Sequence, residues 1–420
     1  MTSKKELSES KTFCMAPWTH MHFMPNKDVN PCCMSPIEET IGNLSTQTIQ
    51  EVWNSERMRG LRKDMLDGKP RPDFCSRCYK KEETGLGSLR GHMNNEYLDN
   101  HYDKIIATST DGKVDDLNLI HWDFRFSNIC NQKCRTCGIE FSTPWFDDFV
   151  KLWNTPKENR PQRVKRIWNN ELEFEQDFDN LFSKVEYIHF AGGEPLITDE
   201  HYKVLERLIQ QERTDVRIRY STNFNVLDFK KYNVLDMWKS FSNIELIASI
   251  DNIGNCYNYM RKGGDWDAVV KNFKRLHESG LQADRKVFFG IHPTISFWNI
   301  NDLPEIHKEL RKLGMVDMNL KDDHFQSTFH LNPLTQPAYY SYKILPVHLK
   351  KQATEKNLAY ADQLDQEGIN TAPLRDMIDD MNSEDLTSLI PEMQDITVKL
   401  DQIRSEKSAD IFPFLKEIFL

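Results

Sequence analysis

Three cysteines within a twelve-residue stretch have the types and spacing to bind a metal centre. Cys130, Cys134 and Cys137 lie in the segment SNICNQKCRTCG and follow a C-x3-C-x2-C pattern. An ordinary [4Fe–4S] cluster takes four thiolates, so three leave one iron open. That iron can bind an exchangeable ligand, as the open position of a catalytic zinc does. From the three cysteines alone, a zinc knuckle and unrelated buried thiols remain alternatives.

A strand is predicted immediately before these cysteines. The run from Leu117 to Phe126 contains Ile120, Trp122 and Phe124, which is typical of a buried strand. The cysteine loop is therefore expected at the carboxyl end of a strand, where α/β barrels keep their chemistry.

A second set of cysteines lies in the first hundred residues. Cys14 and the adjacent pair Cys32 and Cys33 precede a helix predicted over 49–68, and a C-x2-C pair, Cys75 and Cys78, follows it. We expect two cysteine-bearing loops to bracket the helix, so that Cys14, Cys32, Cys75 and Cys78 meet. The spacing favours Cys32 over Cys33. Four thiolates fill every position of a metal site, and geometry alone allows Zn(Cys)4 and [4Fe–4S](Cys)4 equally.

Strands alternate with helices from Leu117 onward. Strands are predicted over 117–126, 185–193, 216–223, 244–251, 286–296 and 315–322, and helices near 199–212, 228–240, 266–280 and 301–313. Repeated βα units predict a parallel sheet with right-handed crossovers. Six units are too few for a complete eight-stranded barrel, so an α/β fold with a partial (β/α)6 TIM-like barrel is expected.

Glycines and polar residues follow several of these strands. The second strand is followed by Gly192, Gly193, Glu194 and Pro195, where glycines let the backbone approach a ligand closely. The next two strand ends, and the loop beyond them, carry Ser221, Asn223, Ser249, Asp251, Cys256 and Arg261. Helix N-caps and Asx-turns are the structural alternative for the polar residues, and a surface ion pair is the alternative for Arg261.

The C-x3-C-x2-C spacing resembles that of the radical SAM superfamily, although Thr136 stands where an aromatic residue is usual. The resemblance implies that S-adenosylmethionine (SAM) chelates the open iron of a [4Fe–4S] cluster held by Cys130, Cys134 and Cys137. The GGEP segment resembles the loop that binds the methionine amino group. Ser221, Asn223, Ser249 and Asp251 resemble SAM-contacting strand ends, and Arg261 would pair with a carboxylate of SAM or substrate.

The cysteine-rich N-terminal segment resembles a Twitch domain, the shortened SPASM module that carries an auxiliary [4Fe–4S] cluster. The resemblance rests on C-x-x-P-W at Cys14, V-x-P-C-C ending at Cys33, EVWNSERMRGLR and the closing C-x2-C. It implies Cys14, Cys32, Cys75 and Cys78 as the ligands. Lys27 replaces a usual glycine, and the module precedes the barrel rather than following it.

The resemblance also implies an activity. The reduced cluster cleaves SAM to a 5′-deoxyadenosyl radical, which abstracts hydrogen from a substrate. A peptide or protein substrate is expected first, and a nucleotide, sugar or other small metabolite is the alternative. A non-enzymatic iron–sulfur protein is a further alternative, against which the GGEP segment argues. An external electron donor such as flavodoxin or ferredoxin is implied. Cys256, near the catalytic face, is a candidate hydrogen-atom donor.

Composition narrows the class of protein. The 420 residues carry a net charge of −10, which argues against a general nucleic-acid binder. No apolar run is long enough to span a membrane, and the N-terminus lacks a signal-peptide core, so a cytoplasmic protein is expected. We predict four segments: a cluster domain (1–100), a linker (101–116), the barrel (117–331) and an irregular, helical C-terminal extension (332–420).

Overall fold

The computed structural model of this chain describes residues 3–83, 87–168, 181–316 and 328–419. Its strands are β1 (His20–Phe23), β2 (Asp28–Asn30), β3 (Gly42–Asn43), β4 (His121–Phe124), β5 (Tyr187–Phe190), β6 (Arg217–Thr222), β7 (Asp228–Phe229), β8 (Tyr232–Asn233), β9 (Ile244–Ala248), β10 (Val287–Ile291), β11 (Thr294–Ile295) and β12 (Asn332–Pro333). Eight of them form one sheet in the order β10-β9-β6-β5-β4-β1-β2-β3. This mostly parallel sheet confirms the α/β, partial-barrel prediction.

Strand β1 gives the sheet an unexpected member. It comes from the cysteine-rich N-terminal segment, yet it pairs in parallel with β4, the first strand of the predicted barrel. Strand β4 pairs in parallel with β5, as β9 does with β10, whereas β2 and β3 continue the edge beyond β1 as antiparallel strands. The sixth barrel strand predicted over 315–322 lies, from residue 317, outside the described residues.

The α-helices are Lys4–Glu9, Ala16–Thr19, Ile49–Trp53, Glu56–Leu66, Pro72–Glu83, Leu89–Tyr97, Tyr102–Ile106, Trp145–Leu152, Asp199–Gln210, Val234–Trp238, Gly254–Met260, Trp266–Glu278, Leu303–Lys312, Val347–Gln366, Ala372–Asn382, Ile390–Arg404 and Ser408–Ile411. Short 3-10 helices are Lys157–Asn159, Pro195–Ile197, Ile300–Asp302, Ala338–Tyr340, Tyr342–Ile344, Thr387–Leu389 and Pro413–Phe419. Among these helices, none is long and apolar enough to cross a membrane.

Two local predictions were wrong. The helix predicted over 228–240 begins instead as a hairpin of β7 and β8, and only Val234–Trp238 is helical. Lys230 takes a positive φ of 54° in the hairpin turn, where Asn or Gly usually signals such a turn. Cys75 and Cys78 lie within helix Pro72–Glu83 rather than in a loop. Their i, i+3 spacing still places both thiols on one helix face.

The chain divides into two compact units. The first comprises residues 1–128 and 165–219, and the second comprises residues 129–164 and 220–420. Trp18, Trp53 and Trp122 are fully buried in the first unit, and Trp238 and Trp298 are fully buried in the second. Each unit thus has large aromatic side chains in a core of its own.

Candidate functional site

The cysteine loop after β4 belongs to the second unit and is fixed by its own backbone. The Cys137 amide donates to the Cys134 carbonyl at 3.1 Å. Trp145 Nε1 donates to that same carbonyl at 2.6 Å, and Ser142 Oγ donates to the Gln132 carbonyl at 2.6 Å. Helix Trp145–Leu152 and the turn before it therefore help to shape the loop.

The segment from Met260 to Gly264 packs directly on this loop. The amides of Lys133 and Arg135 donate to the carbonyls of Lys262 and Met260, both at 2.8 Å. Gly263 has a φ of 92°, and a Cβ there would lie 2.7 Å from the Asn131 carbonyl oxygen. Only glycine permits this approach, which explains the two adjacent glycines of the RKGGDWD segment.

Arg261 joins the cysteine loop to the end of strand β9. Its Nη1 lies 3.8 Å from Cys134 Sγ, and its Nε lies 2.8 Å from Asp251 Oδ2. Asp251 is 1% exposed, and its other oxygen accepts the Thr294 amide at 2.8 Å. Although burial opposes its charge, Asp251 raises the pKa of Arg261 above its ordinary value. Arg261 is thus a permanent cation beside one of the predicted cluster thiols, in a buried ion pair rather than a surface one.

The remaining candidates of the second unit lie at two strand ends. Asn223 Nδ2 donates to Asn131 Oδ1 at 2.7 Å, and Asn131 follows Cys130 directly in the chain. Asn223 Oδ1 also accepts the amide of Asn225 at 3.0 Å, which is an Asx-turn. Ser221 and Ser249 are partly exposed at the ends of β6 and β9. The Asx-turn and a contact with the cysteine loop therefore coexist at Asn223.

Cys256 lies in helix Gly254–Met260 and points toward the C-terminal segment. Its Sγ donates to the Ile411 carbonyl at 3.7 Å. Burial, together with the charge of Asp302, raises the pKa of this thiol to about 11. The thiol is therefore protonated at neutral pH, as a hydrogen-atom donor must be, but these contacts also suit a packing residue.

In the first unit, the GGEP segment turns sharply after β5. Gly192 has a φ of 116°, and a Cβ there would approach Arg125 Cα and the Ser127 carbonyl to 3.2 Å. The Gly193 amide donates to that carbonyl at 3.1 Å. Glu194 is 2% exposed and accepts the Leu196 amide at 3.1 Å, capping the short helix that begins at Pro195. The segment is a rigid backbone turn in which Glu194 has a capping role.

Four N-terminal thiols lie within electrostatic range of one another. Burial raises the pKa of Cys32 well above its ordinary value, and Cys33, Cys14, Cys78 and Cys75 raise it further. Burial also raises the pKa of Cys14. A hydrogen bond from the Ala16 amide lowers this pKa, and the nearby Cys75 and Cys78 thiols raise it. In contrast, the strongest electrostatic neighbours of Cys33 are Asp123 and Arg125, ahead of Cys78. These relationships favour Cys32 as the fourth ligand.

The chemistry of both thiol sets suits iron–sulfur clusters, whose irons are bound by cysteine thiolates. Among the described residues, no three Cys, His, Asp or Glu side chains converge on one ion-sized position. A [4Fe–4S] cluster binds each thiolate through a different iron, so its ligands surround a core instead of converging on a point. Burial and, to a smaller extent, the Cys134 thiol raise the pKa of Cys137 to about 12. Cys134 and Cys137 therefore interact electrostatically.

A row of polar residues across three strands was missed by sequence reasoning. His22, Asp123 and His189 are direct register partners on β1, β4 and β5. His22 Nδ1 lies 2.9 Å from Asp123 Oδ2, and His189 Nδ1 lies 3.6 Å from Asp123 Oδ1. Arg125 pairs with the same carboxylate at 3.1 Å. The signal was present as the alternation HWDFRF, which places His121, Asp123 and Arg125 on one face.

Family models match both parts of the chain. The radical SAM superfamily model matches residues 124–310, and a model described as the SPASM iron–sulfur cluster-binding domain matches residues 14–79. The chain belongs to the radical SAM superfamily and carries its SPASM region at the N-terminal side. Radical SAM and SPASM domains imply SAM and [4Fe–4S] clusters as cofactors.

Three solved structures that match this chain share little sequence with it and have low TM-scores. Native anSMEcpe with bound AdoMet and Cp18Cys peptide is 17% identical with a TM-score of 0.37, over 58% of this chain and 60% of that chain. Streptococcus suis SuiB bound to precursor peptide SuiA is 15% identical with a TM-score of 0.38, and the match covers 78% of this chain and 67% of that chain. TYW1 with a lysine-pyruvate adduct bound is 13% identical with a TM-score of 0.28, and the match covers 59% of this chain and 71% of that chain. The match thus spans less than two thirds of the anSMEcpe chain. No curated protein matches this chain in sequence.

Proposed function

We propose that this enzyme modifies a peptide or protein, with SAM activated at the cluster loop of Cys130, Cys134 and Cys137. The main support for SAM activation at this loop is the position of Arg261, which lies 3.8 Å from Cys134 Sγ and 2.8 Å from Asp251. One buried side chain thus links a predicted cluster ligand to a predicted SAM-binding strand end.

The second unit supplies the setting for that chemistry. Cluster and SAM, when bound, supply a 5′-deoxyadenosyl radical that removes a hydrogen atom from the substrate. The loop backbone fixes the three thiols, Arg261 places a positive charge beside them, and Asp251 orients Arg261. A positive group at this position stabilises thiolate ligands and suits a SAM carboxylate.

Cys14, Cys32, Cys75 and Cys78 are proposed to hold the auxiliary [4Fe–4S] cluster. Four protein ligands leave no iron for substrate, so the auxiliary cluster accepts or relays an electron. An external flavodoxin- or ferredoxin-like donor supplies the reducing electron, and we place the enzyme in the cytoplasm, where thiols stay reduced.

The substrate class rests on the SPASM resemblance, because related SPASM and Twitch enzymes act on peptides and proteins as well as on nucleotides and aminosugars. A small metabolite is therefore the alternative. Anaerobically reconstituted enzyme would receive SAM and dithionite, with either short peptides encoded beside its gene or a matched panel of nucleotides and sugars. A peptide with a changed mass, formed together with 5′-deoxyadenosine, supports the proposal. A modified nucleotide or sugar with unchanged peptides would overturn it.

A further inference from the structure

The residue after Cys134 carries a buried cation that reaches the C-terminal extension. The Arg135 side chain has no exposed surface, and its Nη2 donates to Asp401 Oδ1 at 2.5 Å and to Glu406 Oε2 at 2.8 Å. Its guanidinium carbon lies 3.7 Å from the centre of the Tyr259 ring. Tyr259 in turn donates its hydroxyl to Asp401 Oδ1 at 2.8 Å. A cation inside the cluster loop is thus neutralised by residues 266 and 271 positions later.

A second buried ion pair has its cation on the C-terminal helix and its carboxylate near the cysteine loop. Arg404, at the end of helix Ile390–Arg404, donates from Nε to Asp148 Oδ2 at 2.7 Å, and neither side chain is more than 3% exposed. Asp148 also accepts from Lys133 Nζ at 2.8 Å. Lys133 immediately precedes Cys134, so both neighbours of this cysteine in the chain are tied, directly or through Asp148, to the same helix.

The segment after the helix completes the connection. Glu406 pairs with Lys262 at 3.0 Å, and Lys262 accepts the Lys133 amide through its carbonyl. Ser408 donates its amide to Asp401 Oδ2 at 2.7 Å, which fixes the carboxylate from its other side. Breaking a buried pair by removing one partner is costly, because the other charge is left uncompensated. Helix Ile390–Arg404 also buries Met393, Ile396 and Leu400, so these ion pairs are present in addition to its apolar contacts.

We propose that residues 390–408 contribute to the catalytic cluster site by positioning its cysteine loop. Asp401 and Glu406 are positioning residues that act through Arg135 on the loop between Cys134 and Cys137. They hold the loop in the shape that accepts the cluster, and they balance the positive charge beside it. This inference rests on the proposed assignment of the cluster to Cys130, Cys134 and Cys137.

The test compares two carboxylates of one helix in the full-length chain. Asp401→Asn keeps the shape of the side chain and removes its charge. Asp395→Asn is the matched control, since Asp395 pairs with Lys399 at 2.6 Å on the exposed face. Each protein is reconstituted anaerobically. The measurements are iron per chain, the melting temperature of the metal-free form, the reduced-state EPR signal with and without SAM, and the midpoint potential of the cluster.

The expected result separates positioning from general stability. Asp401→Asn should lose about half of its iron and most of the EPR signal that changes on SAM addition, while the auxiliary signal persists. In any cluster retained, the midpoint potential should shift in the positive direction, because Arg135 is less neutralised. Asp395→Asn should match the unsubstituted protein in every measurement. Unchanged iron, SAM-dependent signal and potential in Asp401→Asn would overturn the inference.

Two further variants cover other outcomes. If Asp401→Asn does not fold, Glu406→Gln provides the same test at a less buried position, with Arg135 and Lys262 as its partners. A Glu406→Gln protein that folds and still matches the unsubstituted protein would also overturn the inference. The joint Cys130→Ala, Cys134→Ala and Cys137→Ala variant tests the underlying assignment separately, because that variant must lose the SAM-dependent signal whatever the carboxylates do.

Discussion

Arg261 Nε lies 2.8 Å from Asp251 Oδ2, and both residues are at least nine-tenths buried. The two were predicted separately as SAM-binding residues, and the structure pairs them with each other. An isolated carboxylate or guanidinium at such depth would be strongly unfavourable, so each requires the other.

Replacing Asp251 with Asn should therefore impair both stability and activity. We expect a loss of about 3 kcal/mol in the free energy of unfolding, because Arg261 is left uncompensated. The rate of 5′-deoxyadenosine formation should fall at least about tenfold, as is typical when a residue that orients a group beside a metal site is lost. Urea unfolding and anaerobic SAM-cleavage assays measure the two effects.

The matched control for Asp251 is another arginine–carboxylate pair in the same unit. Arg275 pairs with Asp228 at 2.7 Å, and more than half of the Asp228 side chain is exposed. Asp228→Asn should change stability by less than about 1 kcal/mol and leave SAM cleavage intact. Normal SAM cleavage by Asp251→Asn would contradict a role for the buried pair in the site.

The joint Cys130→Ala, Cys134→Ala and Cys137→Ala variant should lose all SAM cleavage. It should keep the auxiliary cluster, so about four of eight irons per chain should remain after reconstitution. Iron analysis and 5′-deoxyadenosine yield are the measurements. An undiminished yield would remove these cysteines from the catalytic cluster.

Adjacent cysteines offer a test of the auxiliary site with its own control. Cys32 interacts electrostatically with Cys14, Cys75 and Cys78, while Cys33 is exposed and its strongest electrostatic neighbours are Asp123 and Arg125. Cys32→Ala should lose the auxiliary cluster or leave it incomplete, and Cys33→Ala should retain about eight irons. The reverse result would make Cys33 the ligand, and about four irons with one tightly held zinc in the unsubstituted chain would establish a zinc site.

Cys256→Ala should cleave SAM at the normal rate, because the thiol donates to the carbonyl of Ile411, which is not a predicted cluster ligand. If Cys256 returns a hydrogen atom to the substrate radical, this variant should lose product or form a different one. Mass spectrometry of the product, with analysis of its stereochemistry, distinguishes the cases. Full product formation with normal stereochemistry would leave Cys256 as a packing residue.

Acid stability should depend on His201, which is fully buried in helix Asp199–Gln210. Burial lowers its pKa from 6.5 to about 3, so the folded chain keeps it neutral. Below pH 6.5 the unfolded chain binds the proton and the folded chain does not. Stability is therefore lost as the pH falls from 6.5 toward 3, by about 2–3 kcal/mol at pH 4.5.

The measurement is urea unfolding at pH 7 and pH 4.5. His201→Leu should lose about 2–3 kcal/mol less than the unsubstituted chain over this interval. His348→Leu, at an exposed histidine, is the control and should follow the unsubstituted chain. Identical pH dependence of stability in all three proteins would contradict the role of buried His201 in acid stability.

The sequence predicted what local patterns encode. Cysteine spacing marked the cluster loop, and apolar runs marked β4, β5, β6, β9 and β10. Within the extension predicted to be helical, the apolar spacing of Met393, Ile396 and Leu400 indicates a helix, and the structure has Ile390–Arg404. These features depend on neighbours only a few residues apart, which is the range over which hydrophobic periodicity carries information.

Longer-range pairings left no comparable trace. His20–Phe23 is too short to stand out as a strand, and its partner β4 lies about a hundred residues later. Asp401 looks like any exposed helix carboxylate in the sequence, since nothing near it indicates Arg135. Tertiary contacts decided both cases, as they often override local propensity.

The position of β1 has a consequence for synthesis on the ribosome. His20 Nδ1 donates to the carbonyl oxygen of His121, a residue 101 positions later, so at about 5–20 residues per second β4 is synthesised about 5–20 s after β1. Cys14 is synthesised before β1, and Cys32, Cys75 and Cys78 follow it, so all four proposed auxiliary ligands exist before the partner strand does. The order of translation therefore allows the N-terminal segment to acquire its metal while one edge of its sheet is still open to other chains.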